Sequence, residues 1–131
     1  MDFYTIALFG EAEKGQYSRA YFCQSLPQLV ESCGNPPPHS RGIYYAVQAL
    51  LYGCSVMFFR VKEEGFSRQD YLEGLHLLES QQLVTPISAF CLPGVGNSTI
   101  LEAVIPLCAV YHSVMITNEP DLYDYLTEAV A

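Results

Sequence analysis

The residues best placed to do chemistry lie in the stretch Leu92-Pro93-Gly94-Val95-Gly96-Asn97-Ser98-Thr99-Ile100-Leu101-Glu102. An apolar run, Ile87 to Leu92, ends in a Pro-Gly-x-Gly turn, and helix-start signals follow at once. Glycines let a backbone approach an anion closely. The N–H groups of Asn97 to Ile100 would face that anion with the positive end of a helix dipole behind them. Gly94, Gly96, Asn97, Ser98 and Thr99 are therefore candidate contacts for a phosphate. A plain structural reading competes: Thr99 as N-cap with Glu102 at N3 would form a capping box, and the glycines would only make a tight turn. The loop is not a Walker A motif, because no Gly-Lys-Ser/Thr follows, and its spacing is not that of G-x-G-x-x-G.

A second group of candidates follows the first apolar run, Tyr4 to Gly10. Gly10 closes that run, and Glu11, Glu13, Lys14 and Arg19 form a polar loop beyond it. Glu11 has the best placement for a general base or for contact with a ribose hydroxyl, and Lys14 is a candidate ligand contact. The competing reading is a solvated charged loop whose glutamates would repel a phosphate. Arg60 ends another apolar run, where its fork could clamp a phosphate or carboxylate, unless it pairs with Glu63, Glu64 or Glu11. Cys91 lies inside a strand and reads as core. His39, His76 and His112 lie far apart, and no pair of cysteines shows C-x-x-C spacing, so neither a metal site nor a cofactor is expected.

These residues need elements to hold them. Tyr4–Gly10, Cys54–Val61, Ile87–Leu92 and Val114–Thr117 read as strands, nearly all apolar. Ala20–Phe22 reads as either a short strand or an extended connection. Helices are predicted from Leu26 to Ser32 behind Ser25, from Arg41 to Tyr52 with Ser40 able to cap, and after Ser67. Two more are predicted, from about Thr99 to His112 with a kink at Pro106, and after Asn118. Pro36-Pro37-Pro38 is a stiff extended connector, and Ser80 to Pro86 is another link. Strands alternating with helices predict a single α/β domain over residues 1–131. It would be a small three-layer Rossmann-like or flavodoxin-like fold with a mostly parallel sheet of about four or five strands. Ligands in such folds bind outside the carboxyl ends of the strands, where all the candidates above would gather.

Composition narrows the function classes. The chain has 131 residues, half of them apolar, with 14 acidic and 6 basic residues and a formal charge of −8. Nucleic acid and anionic membranes need clustered Lys and Arg, so neither is an expected partner. The longest apolar stretch, Ala103 to Met115, is too short to span a bilayer, and Met1 to Thr5 has no basic region of the kind a signal peptide carries. Five cysteines, an odd number, read as reduced thiols in a cytoplasmic protein. Ten tyrosines, several of them near the proline connector, suggest an interface. Tyr44 and Tyr45 are helix neighbours that cannot face the same way, so one would extend the buried face into a homodimer contact or simply reach the surface.

The eleven positions from Leu92 to Glu102 resemble the P-G-G-x-G-T-x-x-E loop of the lysine-decarboxylase-like family of nucleoside-monophosphate phosphoribohydrolases, which are also Rossmann-like. Val95 replaces that motif's second glycine, and one residue is inserted before Thr99. The resemblance implies that Gly94, Gly96 and Thr99 line a phosphate and that Glu102 acts on a ribosyl bond. The expectation is binding of a small phosphate-bearing metabolite such as a nucleotide, with hydrolysis by Glu11 or Glu102 as a further step. Its rival is a non-catalytic interaction module or homodimer on the same scaffold.

Overall fold

The computed structural model describes residues 4–80 and 86–129. The fold is α/β, a five-stranded, mostly parallel sheet between two layers of helices. The strands are β1 (Thr5–Gly10), β2 (Ala20–Cys23), β3 (Ser55–Arg60), β4 (Ala89–Cys91) and β5 (Val114–Ile116). The helices are α1 (Leu26–Cys33), α2 (Gly42–Leu51), α3 (Arg68–Ser80), α4 (Ser98–Tyr111) and α5 (Glu119–Ala129).

Strand order is β2-β3-β1-β4-β5. β1 pairs in parallel with β3 from Thr5↔Ser55 to Gly10↔Arg60, and with β4 from Ile6↔Ala89 to Leu8↔Cys91. The ambiguous Ala20–Phe22 segment is an edge strand, antiparallel to β3. Residues 11–19 leave no room for the helix that a parallel crossover needs, so the chain can only return antiparallel. The apolar runs bury both faces of the sheet, which is why they do not alternate with polar residues. Ile6 and Leu8 meet α2 and α5 residues such as Ala46, Ala49, Leu122 and Leu126 on one face. Ala7 and Phe9 meet Tyr71, Leu75, Val104 and Leu107 of α3 and α4 on the other.

Local signals fixed some helix ends and missed others. Ser25 caps α1 by accepting from Gln28 N, with Pro27 in the first turn and Gly34 (φ +76°) at the end. At α4 the cap is Asn97 and not Thr99, because the Asn97 side chain accepts from the N–H groups of Thr99 and Ile100. Glu102 then falls at the fifth helical position, too far along to reach back, and the capping box does not form. Ser40 does not cap α2; its hydroxyl donates to Pro37 O at 2.6 Å. Ser67 stands at the start of α3 with its carbonyl accepting from Asp70 and Tyr71 N–H, but its hydroxyl turns back to Glu63. α4 runs on through Pro106, which is exposed on its surface. Residues 81–85 of the Ser80–Pro86 link lie outside the described residues. No helix among those described is long and apolar enough to cross a membrane.

Candidate functional site at the strand ends

Because β1, β3, β4 and β5 are parallel, their carboxyl-end loops gather on one edge. The chain leaves β1 for β3 on one side and later returns past it to β4, so the topological switch lies between β1 and β4. β4 pairs with β1 as far as Leu8↔Cys91, and the Pro93–Gly94 turn follows β4 as Glu11 follows β1. Gly94 adopts φ +74°, and its N–H donates to Thr117 O at 3.0 Å. A Cβ added at Gly94 or Gly96 would meet nothing within 4 Å, so space is open above the turn. The N–H groups of Gly96, Asn97 and Ser98 make no hydrogen bond among the described residues. All three are exposed at the start of the 14-residue α4, whose dipole favours negative charge there.

The other end of the switch is organised by a residue that sequence reasoning passed over. Glu64 accepts from the N–H groups of Arg41 (3.1 Å), Gly42 (3.0 Å) and Glu11 (3.1 Å). Its carboxylate therefore caps α2, whose own N-cap Arg41 makes no side-chain cap bond. In return, the Glu64 N–H donates to Glu11 Oε2 at 3.0 Å. Burial pushes the Glu64 carboxyl above its usual range, against the pull of three amides, and the neighbouring Glu11 adds to the rise. The sequence carried no signal for this, because Ser40 stands ready as a local cap, and only the structure shows its hydroxyl turned to Pro37 O.

The β3–α3 loop that carries Glu64 is held one amide at a time. Lys62 N–H donates to Asp70 Oδ2 (2.8 Å), Glu63 N–H to Ser67 Oγ (3.1 Å), Glu64 N–H to Glu11, and Gly65 N–H to Tyr71 Oη (2.7 Å). A Cβ on Gly65 would sit 2.7 Å from Gly94 O, so this loop packs directly against the glycine turn. Tyr71 is fully buried and stacks on Phe9 at 5.6 Å. Replacing it with phenylalanine keeps the ring and strands the Gly65 N–H. The expected cost is about 1–2 kcal/mol, read from the denaturation midpoint. An unchanged midpoint would mean that Gly65 finds another acceptor.

The remaining candidates divide between packing and surface. Gly10 faces the backbone of Gly42, and a Cβ on either would lie 2.7 Å from the other's Cα; the glycine serves the β1–α2 crossing. Arg60 donates to the carbonyls of Ala12 (3.2 Å) and Gly15 (2.6 Å), and its guanidinium lies 4.6 Å from the Tyr17 ring centroid. It thus stabilises the β1–β2 loop and, among the described residues, pairs with no glutamate side chain. Lys14 is exposed, and its backbone N–H donates to Cys33 O. Glu102 is exposed on α4 and its side chain makes no hydrogen bond among the described residues. Ser98 and Thr99 are exposed at the glycine turn itself.

The buried cysteines are held in the protonated thiol form. Cys91 is fully buried in β4, and both burial and the Glu64 carboxylate push its thiol up, away from the reactive thiolate. Burial, with smaller contributions, likewise raises Cys33 to about 12. The Tyr45 hydroxyl is buried without a hydrogen-bond partner among the described residues, and burial raises its pKa. The nearby Arg41 guanidinium eases that rise without reaching hydrogen-bond geometry in the structure. No three metal-ligating side chains gather among the described residues. Comparison with family models, with curated proteins and with solved structures finds no match to this chain.

Proposed function

We propose that the chain binds a small phosphate-bearing metabolite, of nucleotide type, at the β4–α4 turn. One observation carries the reading: Gly96, Asn97 and Ser98 present three successive unbonded N–H groups, in open space, at the start of a long helix beside the topological switch. The resemblance of Leu92–Glu102 to a phosphate-binding loop points the same way. Binding is better supported than hydrolysis. Glu102 sits more than a turn into α4, and Glu11 already accepts from the Glu64 N–H.

The test is a thermal-shift series with nucleoside monophosphates, dinucleotides and inorganic phosphate on the wild type and on Gly96→Val. Gly96 has an ordinary φ and no neighbour within 4 Å of a Cβ, so the variant should fold with stability within about 0.5 kcal/mol of wild type. A ligand at about a hundred times its dissociation constant should add roughly 2.7 kcal/mol to the wild type and far less to the variant. Equal shifts in both proteins, or none in either, would end the proposal.

A second reading, an interaction module, is favoured by a different surface. Tyr44, Leu51, Tyr52 and Tyr123 stand exposed on α2, at its end and on α5, while Tyr45 turns into the core.

A further inference from the structure

Helix α2 and the residue after it turn one stripe to solvent. Tyr44, Gln48, Leu51 and Tyr52 recur at helical spacing, with Tyr44 57%, Leu51 69% and Tyr52 41% exposed. The helix itself, Gly42–Leu51, contains no charged residue. Beside it the start of α5 supplies Glu119, Pro120 and Tyr123. Together Gln48, Tyr52, Glu119, Pro120 and Tyr123 line a cleft of about 460 Å³. Every charged residue of α5 is acidic: Glu119, Asp121, Asp124 and Glu128. The bias runs through the chain, because residues 69–131 hold eight acidic residues and no Lys or Arg. The cleft therefore combines aromatic walls with a carboxylate, and no Lys or Arg is among its described lining residues, although Arg41 stands nearby at the N-cap of α2 and, like Glu119, acts on the Tyr45 hydroxyl.

That combination selects among occupants. A second copy would bring another charge of −8 and another acidic α5 to the same place, so charge disfavours self-association. An ammonium can answer Glu119 and lie over a ring, as Lys62 Nζ does 5.4 Å from the Tyr17 centroid, but it can neither stack flat on a ring nor fork onto a carboxylate. A guanidinium does both, being planar, weakly hydrated, able to stack on tyrosine and forked to match a carboxylate. The protein places guanidinium groups over tyrosine rings elsewhere, with Arg60 4.6 Å from the Tyr17 ring centroid and Arg19 5.3 Å from that of Tyr21.

We infer that the α2–α5 cleft docks an arginine-bearing segment of another protein, its guanidinium stacked on the cleft tyrosines and paired with Glu119. The inference rests on the interaction-module reading and gives it a partner chemistry.

The experiment uses three capped peptides, Leu-X-Tyr-X-Leu, with X as arginine, as citrulline (same shape, no charge) or as glutamate. Each is titrated into the full chain at low salt, with backbone amide NMR shifts as the readout. The arginine peptide should perturb Gln48, Tyr52, Glu119 and Tyr123 and bind about tenfold tighter than the citrulline peptide. Glu119→Gln should bring it down to the citrulline level, Tyr123→Ala should weaken both, and the glutamate peptide should leave the cleft unmoved. Equal binding of arginine and citrulline peptides at the cleft would overturn the cationic partner while keeping the interaction surface. No perturbation of the cleft by any peptide, or perturbation confined to other acidic residues, would overturn both.

Discussion

Replacing Gly42 with alanine is expected to destabilise the protein by about 3 kcal/mol, the upper end of what an overpacked site costs. Helix propensity alone predicts the opposite sign, since alanine is favoured over glycine in a helix by about 1 kcal/mol. The structure reverses it, because a Cβ at Gly42 would lie 2.7 Å from Gly10 Cα and 3.5 Å from both Gly10 C and Leu8 Cδ2. Two of those atoms are backbone of the central strand, paired on both sides, and cannot turn aside as a flexible side chain would. Gly10→Ala should cost a similar amount by closing the same contact from the strand. The double variant should depart from additivity, since the two sites touch. Urea denaturation of Gly42→Ala, with Gly96→Ala as a control built in open space, decides the matter. A Gly42→Ala protein as stable as wild type would show that α2 can lift from β1 at no cost.

The second large effect is expected at Glu64. Truncation to alanine removes the side-chain cap of α2 and leaves the N–H groups of Arg41, Gly42 and Glu11 without their acceptor. Charged caps and amide–carboxylate bonds of this kind suggest a loss of about 2 kcal/mol. Glu11→Ala, which frees only the Glu64 N–H, should cost less. Stability should also carry a signature of pH. The folded pKa of Glu64 is raised above the ordinary 4.5, so between those two values the folded state binds more protons than the unfolded one. The carboxyl's contribution is thus fully present below about pH 4.5 and is lost as pH rises through the folded value. Comparing unfolding free energies of wild type and Glu64→Gln across that window isolates the carboxyl's contribution. A wild-type curve that instead gains on the glutamine variant with rising pH would mean that the three amides outweigh burial.

Both effects arise from pairs far apart in the chain, and this marks how far the sequence could be read. The apolar runs at Tyr4–Gly10, Cys54–Val61 and Ile87–Leu92 were legible as buried strands because a strand covered on both faces needs an unbroken apolar sequence. Ser25 and Gly34 were legible because a cap and a stop act within a few residues of the helix they bound. Thr99 misled because the helix starts two residues earlier than it would allow, with Asn97 accepting from the N–H groups of Thr99 and Ile100. Arg60 was legible as a strand-end cation, but its partners are loop carbonyls more than forty residues back, which no spacing rule reaches.

What the sequence determined by itself is the order and type of most elements, and the meeting of the Gly94–Thr99 turn with a strand end and a helix start. Periodicity, capping and glycine conformation are local energies, settled within one or two turns. Tertiary structure alone decided that β1 lies between β3 and β4, that Gly10 serves a backbone crossing, and that Glu64 caps a helix beginning 22 residues before it. Those outcomes depend on which surfaces meet once the sheet has formed. A carboxylate becomes a cap only when folding brings it to amides that nothing nearer in the chain has satisfied.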